Sequence, residues 1–371
     1  MPGDYWAFEP PPLPPRLELT WKLAGLLSEA DRAVAELSGA GRNLPNPHLL
    51  IRPYLRREAM LSSMIEDTHA DLNELVMLEA DPDESPPRDE IREVYNHLVA
   101  LEEGLARLNE LPISNRMIRE LHATLMANVR GGESVKNPGE FRRTQNWIGP
   151  AGCTLNEAKF VPPHPDHLLE HLSAWEKYLH TETEEPELIK AALLHYQFEC
   201  IHPFIDGNGR IGRLLITLFL CWKGCLSQPL LYLSGFFEEH RDEYYRRLLA
   251  VSQKGEWMDW LIYFLNGVRN QAQAALNDTR RILDLYEEKK QLIHINKRVP
   301  GEASRILDHL FASPMLTISK YAKETGASFP TISKGVDFWL KHELLTEVTG
   351  NRRNRLFVAP ELIRIMQVTK S

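Results

Sequence analysis

Cysteine is scarce in this chain of 371 residues. It has only four, with no CxxC pair among them: Cys153, Cys200, Cys221 and Cys225. This excludes a disulfide-stapled scaffold and a zinc knuckle, and it favours a protein of the reducing cytoplasm. Long apolar runs are missing too. The longest, from Leu214 to Trp222, is far shorter than the roughly 18 residues that a transmembrane helix needs, so no membrane-embedded role is expected.

Basic charge is also in short supply. The chain has 43 Lys and Arg against 51 Asp and Glu, a formal net charge of −8 at pH 7, so the whole chain is not an obvious nucleic-acid binder. The N-terminus has Asp4 and Glu9 in a proline-rich stretch, and we expect no secretory signal there. The 43% hydrophobic and 25% charged residues indicate an ordinary globular protein. Its length predicts about two or three folded units.

Strand-like alternation is almost missing from the first 290 residues, where helical periodicity dominates. The clearest apolar stripe has three- and four-residue steps: Ile91, Val94, Tyr95, Leu98, Leu101, Leu105 and Leu108. Further helices are predicted over residues 114–129, 166–180, 187–200, 211–223, 242–253 and 257–292. Residues 1–15 are predicted to be an extended arm that packs late or not at all, and residues 141–163 a hairpin. We therefore predict an all-α fold with a small β-hairpin flap.

The C-terminal residues 300–371 show a different pattern. Three short helices over 304–311, 318–325 and 328–341 are followed by a hairpin over 346–359, an order typical of a winged helix-turn-helix domain. Residues 302–371 have a net charge of +3, against −11 for the rest of the chain. The candidate DNA contacts are Lys334, Lys341, His342, Arg352, Arg353 and Arg355. Such modules also mediate protein interaction or dimerisation, so both kinds of partner are open.

A glycine-rich turn carries the strongest chemical signal, since residues 202–213 are HPFIDGNGRIGR. Apolar residues after it recur at helical steps, which places the Gly-Asn-Gly turn at a helix N-terminus. Unpaired N–H groups and the helix dipole favour an anion there, and glycine lets a phosphate approach the backbone closely. Arg210 and Arg213, one helical step apart, can both reach that phosphate. Asp206 is a hard oxygen ligand suited to Mg²⁺, and His202 can take a proton from an attacking hydroxyl.

Together these residue types predict phosphoryl or nucleotidyl transfer. Residues 207–212 also match GxGxxG, but a dinucleotide-binding fold needs a strand before the glycines, and residues 187–200 have a helical period. A kinase is disfavoured because the chain has no HRD or DFG segment, no lysine strand and no Walker lysine.

The segment HPFIDGNGRIGR resembles the Fic family motif, HPFx(D/E)GNGRxxR, at every fixed position. The resemblance extends through FRRTQNWIG and FVPPHP to the Tyr244-Tyr245 pair and covers most of residues 45–270. It implies a helical Fic core over residues 111–290, preceded at 1–110 by the proline-rich arm and an inhibitory helical region. The implied activity is protein AMPylation. A nucleotidyltransferase moves AMP from ATP to a Ser, Thr or Tyr hydroxyl of a target protein or of itself, and pyrophosphate leaves.

The resemblance also implies roles for individual residues. His202 is the general base, and Asp206 holds Mg²⁺ against the phosphates. The implied ATP-binding set is Glu66, His202, Gly207, Asn208, Gly209, Arg210, Ile211, Gly212, Arg213 and Tyr245. In this set the Gly-Asn-Gly turn cradles the phosphates, the two arginines grip the β- and γ-phosphates, and Tyr245 contacts adenine. Some relatives carry Asn where this chain has Ser252, which leaves that nucleoside contact open.

A second resemblance lies upstream, at residues 62–67. Their sequence, SSMIED, is similar to the family's inhibitory motif, (S/T)xxxE(G/N), which begins here at Ser62. The resemblance implies that Glu66 pairs with Arg213, takes the donors that the γ-phosphate needs and misaligns ATP. Asp67 departs from the usual Gly or Asn. As the N-cap of a helix over residues 68–79 it would preserve the turn, and looser inhibition is the alternative.

Several alternatives stay open from the sequence alone. The same site could remove AMP from modified proteins or transfer another nucleotide, or the chain could be a DNA-binding regulator with a nucleotide-sensing site. Residues 147–161 are either an ordinary surface loop or, as we favour, a flap that binds the target as an added edge strand. A zinc site is disfavoured against a solvated helix face, because no carboxylate completes an HExxH pattern around His164, His167 and His171. A homodimer is also compatible with the sequence.

Overall fold

The fold is helical, as predicted. The computed structural model describes residues 5–42, 48–80, 88–108, 110–129, 137–150, 152–350 and 355–366. The helices before the glycine-rich turn are α1 (Trp21–Arg42), α2 (His48–Met64), α3 (Leu72–Ala80), α4 (Asp89–Arg107), α5 (Asn115–Leu125), α6 (Leu168–His180) and α7 (Glu187–Ile201). Two 3₁₀ turns, Leu155–Glu157 and Pro165–His167, lie between α5 and α6.

Among the described residues, eight further helices and three short strands follow the turn. They are α8 (Asn208–Trp222), α9 (Ser234–Glu239), α10 (Arg241–Lys254), α11 (Trp257–Ile295), α12 (Ala303–Ala312), β1 (Met315–Thr317), α13 (Ile318–Thr325), α14 (Phe329–Lys341), β2 (Thr346–Glu347), β3 (Leu356–Val358) and α15 (Pro360–Met366). Within the described ranges, no helix combines the length and the apolar character that crossing a bilayer requires.

The adjacent helices α7 and α8 form the centre of the core. α7 is buried on nearly all of its faces, because its sequence ELIKAALLHYQFECI is apolar all round and not along one stripe. α8 packs along it and is contacted in turn by α2, α4 and α5, while α11 packs on α7. The predicted stripe on α4 faces this core, with Val94 and Leu101 fully buried. The α7–α8 loop is therefore held in place by helices from distant parts of the chain.

Three helix positions differ from the sequence predictions. α8 begins at Asn208, within the glycine-rich turn, because Gly207 adopts a left-handed conformation (φ 78°) and serves as its N-cap. The helix predicted over residues 68–79 begins only at Leu72. The six residues of α9 are too few to show a helical period in the sequence.

The hairpin predicted at residues 141–163 is reduced to one antiparallel bridge. Ile148 N–H donates to Phe160 O (2.8 Å), and Phe160 N–H donates to Ile148 O (3.1 Å). Pro150 directly follows Gly149 and cannot donate to a ladder, so pairing stops there. Residues 147–161 are called the flap below.

The N-terminal arm is extended, but it is packed against the flap. Phe8 N–H donates to Val161 O (2.8 Å), and the Phe8 ring centroid lies 5.5 Å from that of Phe160. Next to it, the carboxylate of Glu9 bonds to His167 Nδ1 (2.9 Å) and to His171 Nε2 (2.6 Å). Two of the three histidines of the zinc alternative are therefore bound to Glu9. Across the described part of the chain, no group of three or more His, Cys, Asp and Glu is arranged to hold a metal.

The C-terminal region packs on the N-terminal helices. Its strands form an antiparallel sheet in the order β1-β3-β2, and its first three helices precede β2 and β3 as predicted, with β1 and α15 in addition. α12 contacts α2, where Arg56 donates to Ala312 O (3.3 Å). Lys334 and Lys341 are exposed on α14, whereas Arg352 and Arg353 fall outside the described residues. The winged helix-turn-helix and its DNA contacts stay a prediction.

Candidate active site

The candidate site is built on the junction between α7 and α8. His202 caps α7 in the left-handed conformation (φ 49°, ψ 60°), with its N–H bonded to Phe198 O at 3.0 Å. That conformation is costly for a residue with a Cβ, and it turns the chain sharply away from the helix. As a result, the His202 side chain and the first turn of α8 line the same cavity.

The imidazole of His202 is arranged as a base. Its Nδ1 lies 3.2 Å from the carbonyl oxygen of Glu199. Because a carbonyl oxygen only accepts, Nδ1 carries the proton and Nε2 keeps its lone pair. Burial is the main cause that lowers the pKa of His202 to about 4; the nearby Arg142 acts in the same direction, and the bond to the Glu199 carbonyl oxygen opposes the shift. The ring is therefore neutral at pH 7 and can accept a proton at Nε2.

Arg142 and Asn146 hold this loop from the segment that precedes the flap. The guanidinium of Arg142 is almost fully buried and donates to the carbonyl oxygens of His202 (Nε, 2.9 Å) and Pro163 (Nη2, 2.6 Å). Asn146 Nδ2 donates to Phe204 O (2.8 Å). Both residues belong to FRRTQNWIG, which resembles the family in sequence, but only the structure shows that they bond to the loop.

A second histidine, His122 on α5, also supports the loop. Gly139 N–H donates to its Nδ1 (2.9 Å), so Nε2 carries the proton and donates to the carbonyl oxygen of Asp206 (3.0 Å). The ring stacks on Phe204, with centroids 3.7 Å apart and planes within 4° of parallel. Burial lowers the pKa of His122 to about 4, so this ring is neutral too. The sequence gives no signal for it, since its partners are 17 and 84 residues away.

The first turn of α8 is stabilised by its own side chains. Asn208 Oδ1 accepts from Phe204 N–H (2.8 Å), and Nδ2 donates back to Phe204 O (2.9 Å), so the Asn208 amide shapes the loop. Asp206 Oδ1 accepts from Gly207 N–H (2.7 Å) and lies 3.7 Å from Arg210 Nη2. The Asp206 side chain is 37% exposed and lines the cavity.

Glu66 lies against this helix end and bonds to both arginines. Its Oε1 accepts from Arg213 Nη2 (2.6 Å), and its Oε2 accepts from Arg210 Nε (3.1 Å). A Cβ at Gly209 would overlap Oε1, so the glycine makes room for the carboxylate. The resemblance implies a pair with Arg213 alone, and the structure adds Arg210. Glu66 therefore occupies the position that the helix dipole and both guanidinium groups favour for an anion.

Further partners hold the two arginines in place. Arg213 donates to Ser62 twice, from Nε to Oγ and from Nη2 to the carbonyl oxygen, both at 2.8 Å. Arg210 Nη1 donates to Glu93 Oε2 (3.3 Å), which also accepts from Thr68 Oγ1 (3.1 Å). The sequence does not indicate this role for Glu93 on α4, because a charged residue beside an apolar stripe is normally predicted to be exposed to solvent.

The turn that carries Glu66 ends α2 in a Schellman motif. Thr68 N–H donates to Ser63 O (3.1 Å), and Asp67 N–H donates to Met64 O (3.0 Å). Asp67 itself adopts the left-handed conformation, at φ 60°. The Gly or Asn usual at this position in the resembled motif tolerates that backbone, which gives the motif a physical reason.

The prediction that Asp67 caps a following helix is wrong. Residues 68–71 are not helical, and α3 begins at Leu72. The Asp67 carboxylate is instead paired with Arg241 at the start of α10, with Nη1–Oδ1 at 2.6 Å and Nη2–Oδ2 at 2.8 Å. The sequence could not show this pair, since the partners are 174 residues apart.

His202, Asp206, Glu66 and Arg213 line one cavity of about 630 Å³, a volume that suits a nucleotide. Its walls include, from the α7–α8 junction, His202, Asp206, Gly207, Asn208, Gly209 and Arg213; from the flap, Trp147, Ile148, Lys159 and Phe160; and from α10, Tyr244, Tyr245, Leu248 and Ser252. Three residues of the implied ATP-binding set do not line it. Arg210 is buried against its carboxylate partners, Ile211 is in the core, and Gly212 faces Glu199 on α7.

Two aromatic residues of α10 differ in their surroundings. Both line the cavity, but Tyr245 is 42% exposed, whereas Tyr244 is buried and donates from its hydroxyl to His195 Nε2 (2.8 Å). The hydroxyl of Ser252 is bonded to that of Tyr196 (2.9 Å). Tyr245 is therefore the better placed of the two tyrosines to contact a bound nucleoside.

Glu199 is a cavity residue that the sequence analysis does not single out. Its Oε1 is buried without a hydrogen-bond partner, next to Gly212. Burial raises the pKa of Glu199 to about 7, although the nearby Arg213 opposes the shift. The cavity thus contains a carboxyl group that titrates close to neutral pH.

Two family models match the chain. The model described as Fic/DOC family N-terminal matches residues 24–106, and the Fic/DOC family model matches residues 112–220. Together they span just over half of the 371 residues. The chain belongs to the Fic/DOC family. In this Fic/DOC protein, Glu66 lies within the N-terminal match and the whole α7–α8 junction within the other.

The relatives and solved structures agree with this assignment. Two are proteins called "Protein adenylyltransferase Fic". That of Drosophila grimshawi is 29% identical over 199 residues, 52% of this chain and 35% of that protein, and that of Drosophila willistoni is 28% identical over 244 residues, 63% and 43% respectively. The chain thus spans less than half the length of these relatives. A Fic family protein from Desulfovibrio desulfuricans G20 superimposes with a TM-score of 0.59 at 19% identity, covering 93% of this chain and 98% of that one. For Fic-1 from C. elegans the TM-score is 0.53 at 22% identity, with 71% and 74% covered, so both share the fold.

Proposed function

We propose that this protein is a protein adenylyltransferase that moves AMP from ATP to a Ser, Thr or Tyr hydroxyl of a protein. The observation that carries the proposal is the neutral imidazole of His202. Nε2 of this ring is unprotonated, and the ring lines the same cavity as the N-terminus of α8 and Arg213. The names of the two Drosophila relatives support the same activity.

His202 would act as the general base of this transfer. Its Nε2 takes the proton of the target hydroxyl while the hydroxyl oxygen forms a bond to the α-phosphorus of ATP. The bond from that phosphorus to the oxygen bridging the α- and β-phosphates breaks, and pyrophosphate leaves with the electron pair. The proton on His202 then passes to solvent. The N–H groups of the first turn of α8, together with Arg213, stabilise the phosphate charge throughout.

Asp206 is suited to a magnesium ion that accompanies the triphosphate. Its carboxylate lines the cavity and is oriented by the Gly207 N–H. Mg²⁺ commonly binds through one or two carboxylates together with the phosphates of the substrate, so this donor set fits. A bound Mg²⁺ would neutralise phosphate charge. The protein would contribute the Asp206 carboxylate, which lies just before the first residue of α8.

We further propose that the conformation with Glu66 on the arginines is an inhibited one. The terminal phosphate of ATP needs the donor that Arg213, the arginine on the cavity wall, gives to Glu66, and the carboxylate adds a like charge beside it. Hydrogen bonds between charged groups are worth about 1.5–3 kcal/mol, so removal of Glu66 should raise the rate by about tenfold or more.

The test is intact-mass analysis of the purified Glu66→Gly protein after incubation with ATP and Mg²⁺, alone and with cell lysate as a source of targets. We expect the mass of one AMP to be added to the protein or to a partner, faster than with the unaltered protein. Glu66→Gln is the matched control, since it keeps the side-chain length and removes the charge. The Glu66→Gly, His202→Ala double variant should add none.

Two outcomes would overturn parts of this proposal. If Glu66→Gly transfers no AMP to any protein, the activity is wrong. If the double variant labels as fast as Glu66→Gly, His202 is not the base. Release of AMP from an already modified protein would instead favour the reverse reaction at the same site.

A further inference from the structure

Asp67, the residue after Glu66, occupies a backbone position that suits glycine. It is the left-handed residue of the Schellman motif that ends α2, at φ 60°. Aspartate adopts this conformation less readily than glycine, so a contact that fixes this side chain helps the turn to keep its shape.

Arg241 supplies that contact. It is the first residue of α10, and its two terminal nitrogens donate to the two oxygens of Asp67 at 2.6 and 2.8 Å. Such paired N–H···O bonds are the strong and directional form of an arginine–carboxylate interaction. The pKa of Asp67 is lowered by this bond, with a smaller contribution from His69, so the carboxylate is charged at neutral pH.

A second contact holds the residue on the other side of Glu66. Tyr245, one turn further along α10, donates from its hydroxyl to the carbonyl oxygen of Ile65 (3.3 Å). The guanidinium of Arg241 lies 5.9 Å from the centroid of the Tyr245 ring, so the two α10 side chains also support each other. The first turns of α10 therefore bind the residues directly before and after Glu66.

We propose that the Asp67–Arg241 pair is a latch that positions the Glu66 carboxylate on the two arginines of α8. This inference rests on the proposed function, and it adds the Asp67–Arg241 pair to the proposed inhibition by Glu66. Aspartate at position 67, in place of the usual Gly or Asn, then tightens inhibition, because the Asp67 carboxylate forms an ion pair with α10 that an uncharged residue cannot form. Arg241 and Tyr245 both line the nucleotide-sized cavity, so the latch joins the inhibitory turn to the cavity wall.

The test compares four chains in the AMP-transfer assay: the unaltered protein, Asp67→Asn, Glu66→Gly, and the Glu66→Gly, Asp67→Asn double variant. Asparagine tolerates the left-handed backbone and carries no charge, so Asp67→Asn removes the latch without adding strain. An exposed ion pair shifts an equilibrium by up to about fivefold, so we expect Asp67→Asn to raise the rate by two- to fivefold. In the Glu66→Gly background the same change should have no effect, because the latch acts only through Glu66.

Arg241→Gln removes the other half of the latch and provides a second route to the same result. It should raise the rate as Asp67→Asn does, and the Asp67→Asn, Arg241→Gln variant should be no faster than either single change. The matched control is Arg246→Gln, which removes an exposed arginine of α10 whose ion pair, within the described residues, is with Glu243 of the same helix. The rate of the unaltered protein relative to Glu66→Gly should also rise with ionic strength, and Asp67→Asn should lose that response.

The proposal is overturned if Asp67→Asn leaves the rate unchanged or lowers it. It is overturned as well if Asp67→Asn raises the rate equally in the Glu66→Gly background, since the residue would then act on catalysis directly. A failure of the proposed function looks different, because Glu66→Gly itself would transfer no AMP.

Discussion

At the scale of single residues, protonation and charge decide what the cavity can do. His202 donates from Nδ1 to a carbonyl oxygen of its own helix, which leaves Nε2 as the basic atom. In the interior, the Glu66 carboxylate lies within 3.1 Å of both Arg210 and Arg213, and Glu93 lies within 3.3 Å of Arg210. The same guanidinium groups can therefore hold either the Glu66 carboxylate or a phosphate.

The pKa of His202 leads to a pH prediction for the Glu66→Gly protein. Burial lowers that pKa from 6.5 to about 4, so the base stays neutral and active as pH falls through the range where an ordinary histidine becomes charged. We expect kcat/KM for AMP transfer to stay level through pH 6.5 and to fall as the pH approaches about 4. A decline in the pH–rate profile centred near 6.5 that persists after Glu199, the other titrating group of the cavity, is changed to Gln would show that the ring is not desolvated in this way.

The lowered pKa also sets the sign of the stability effect. A histidine kept neutral by folding binds fewer protons than it does in the unfolded chain, so stability is lost as pH falls below its ordinary value of 6.5. His122 acts in the same direction, with a pKa lowered to about 4. Activity can therefore be lost at low pH either because the protein unfolds or because His202 is protonated. Measuring unfolding at the same pH values as the transfer rate separates these two causes.

At the scale of elements, the site depends on how the α7–α8 loop is held. The loop has no regular structure of its own between His202 and Gly207. Its carbonyl groups are bonded by Arg142 from the segment before the flap and by His122 from α5. These contacts fix where the imidazole lies relative to the N-terminus of α8.

Arg142→Lys tests this support. A lysine lacks the planar fork whose two separate nitrogens donate to the carbonyl oxygens of His202 and Pro163, so the folded protein should lose about 2 kcal/mol of stability. The Glu66→Gly, Arg142→Lys protein should also transfer AMP more slowly than Glu66→Gly alone, because His202 is less well positioned. Thermal unfolding and the transfer rate measure the two effects.

Arg143→Lys is the control for this change, since the neighbouring Arg143 is exposed and should tolerate lysine. Equal unfolding temperatures and rates for Arg142→Lys and Arg143→Lys would contradict the account.

The contribution of the sequence differs from element to element. Most of α8 and the helix-end location of the Gly-Asn-Gly turn follow from apolar periodicity and from glycine, since both are local properties. Asp67 was misjudged because two local rules compete there: aspartate suits an N-cap, but α2 needs a left-handed residue to end. Arg142, His122 and Glu93 give no local signal, because each acts through a partner far along the chain.

At the scale of the whole molecule, distant segments meet around the cavity. The N-terminal arm lies on the flap through Phe8, and Glu9 ties the arm to α6 through His167 and His171. α1 packs along α11, so the N-terminal region and the Fic core share one interior. The flap that forms one wall of the cavity is thereby braced by the N-terminus of the chain.

The arm should be held more firmly at mildly acidic pH. The bond to Glu9 raises the pKa of His167 above 6.5, so its contribution is complete below that value and is lost as pH rises through the raised pKa. The pKa of Glu9 is lowered below 4.5 by the same histidines against the effect of burial, so its contribution is lost only as pH falls below 4.5. Between 4.5 and 6.5 both contributions are present.

Hydrogen exchange of the Phe8 amide, which bonds to Val161 O, reports this contact. Its protection factor should be higher near about pH 5.5 than above about pH 8, and Glu9→Gln should remove the difference. Equal protection at both pH values in the unaltered protein would show that the pairs with Glu9 do not hold the arm.

The most direct test of the central claim follows the phosphorus atoms. The Glu66→Gly protein is incubated with Mg²⁺, lysate and ATP labelled at either the α- or the γ-phosphorus, with the Glu66→Gly, His202→Ala protein alongside. We predict that, above the label bound in lysate alone, the α-label becomes bound to protein only where His202 is present, and that the Glu66→Gly protein adds no γ-label, which leaves in pyrophosphate. Added γ-label above that of lysate alone, or added α-label that does not depend on His202, would contradict the assignment.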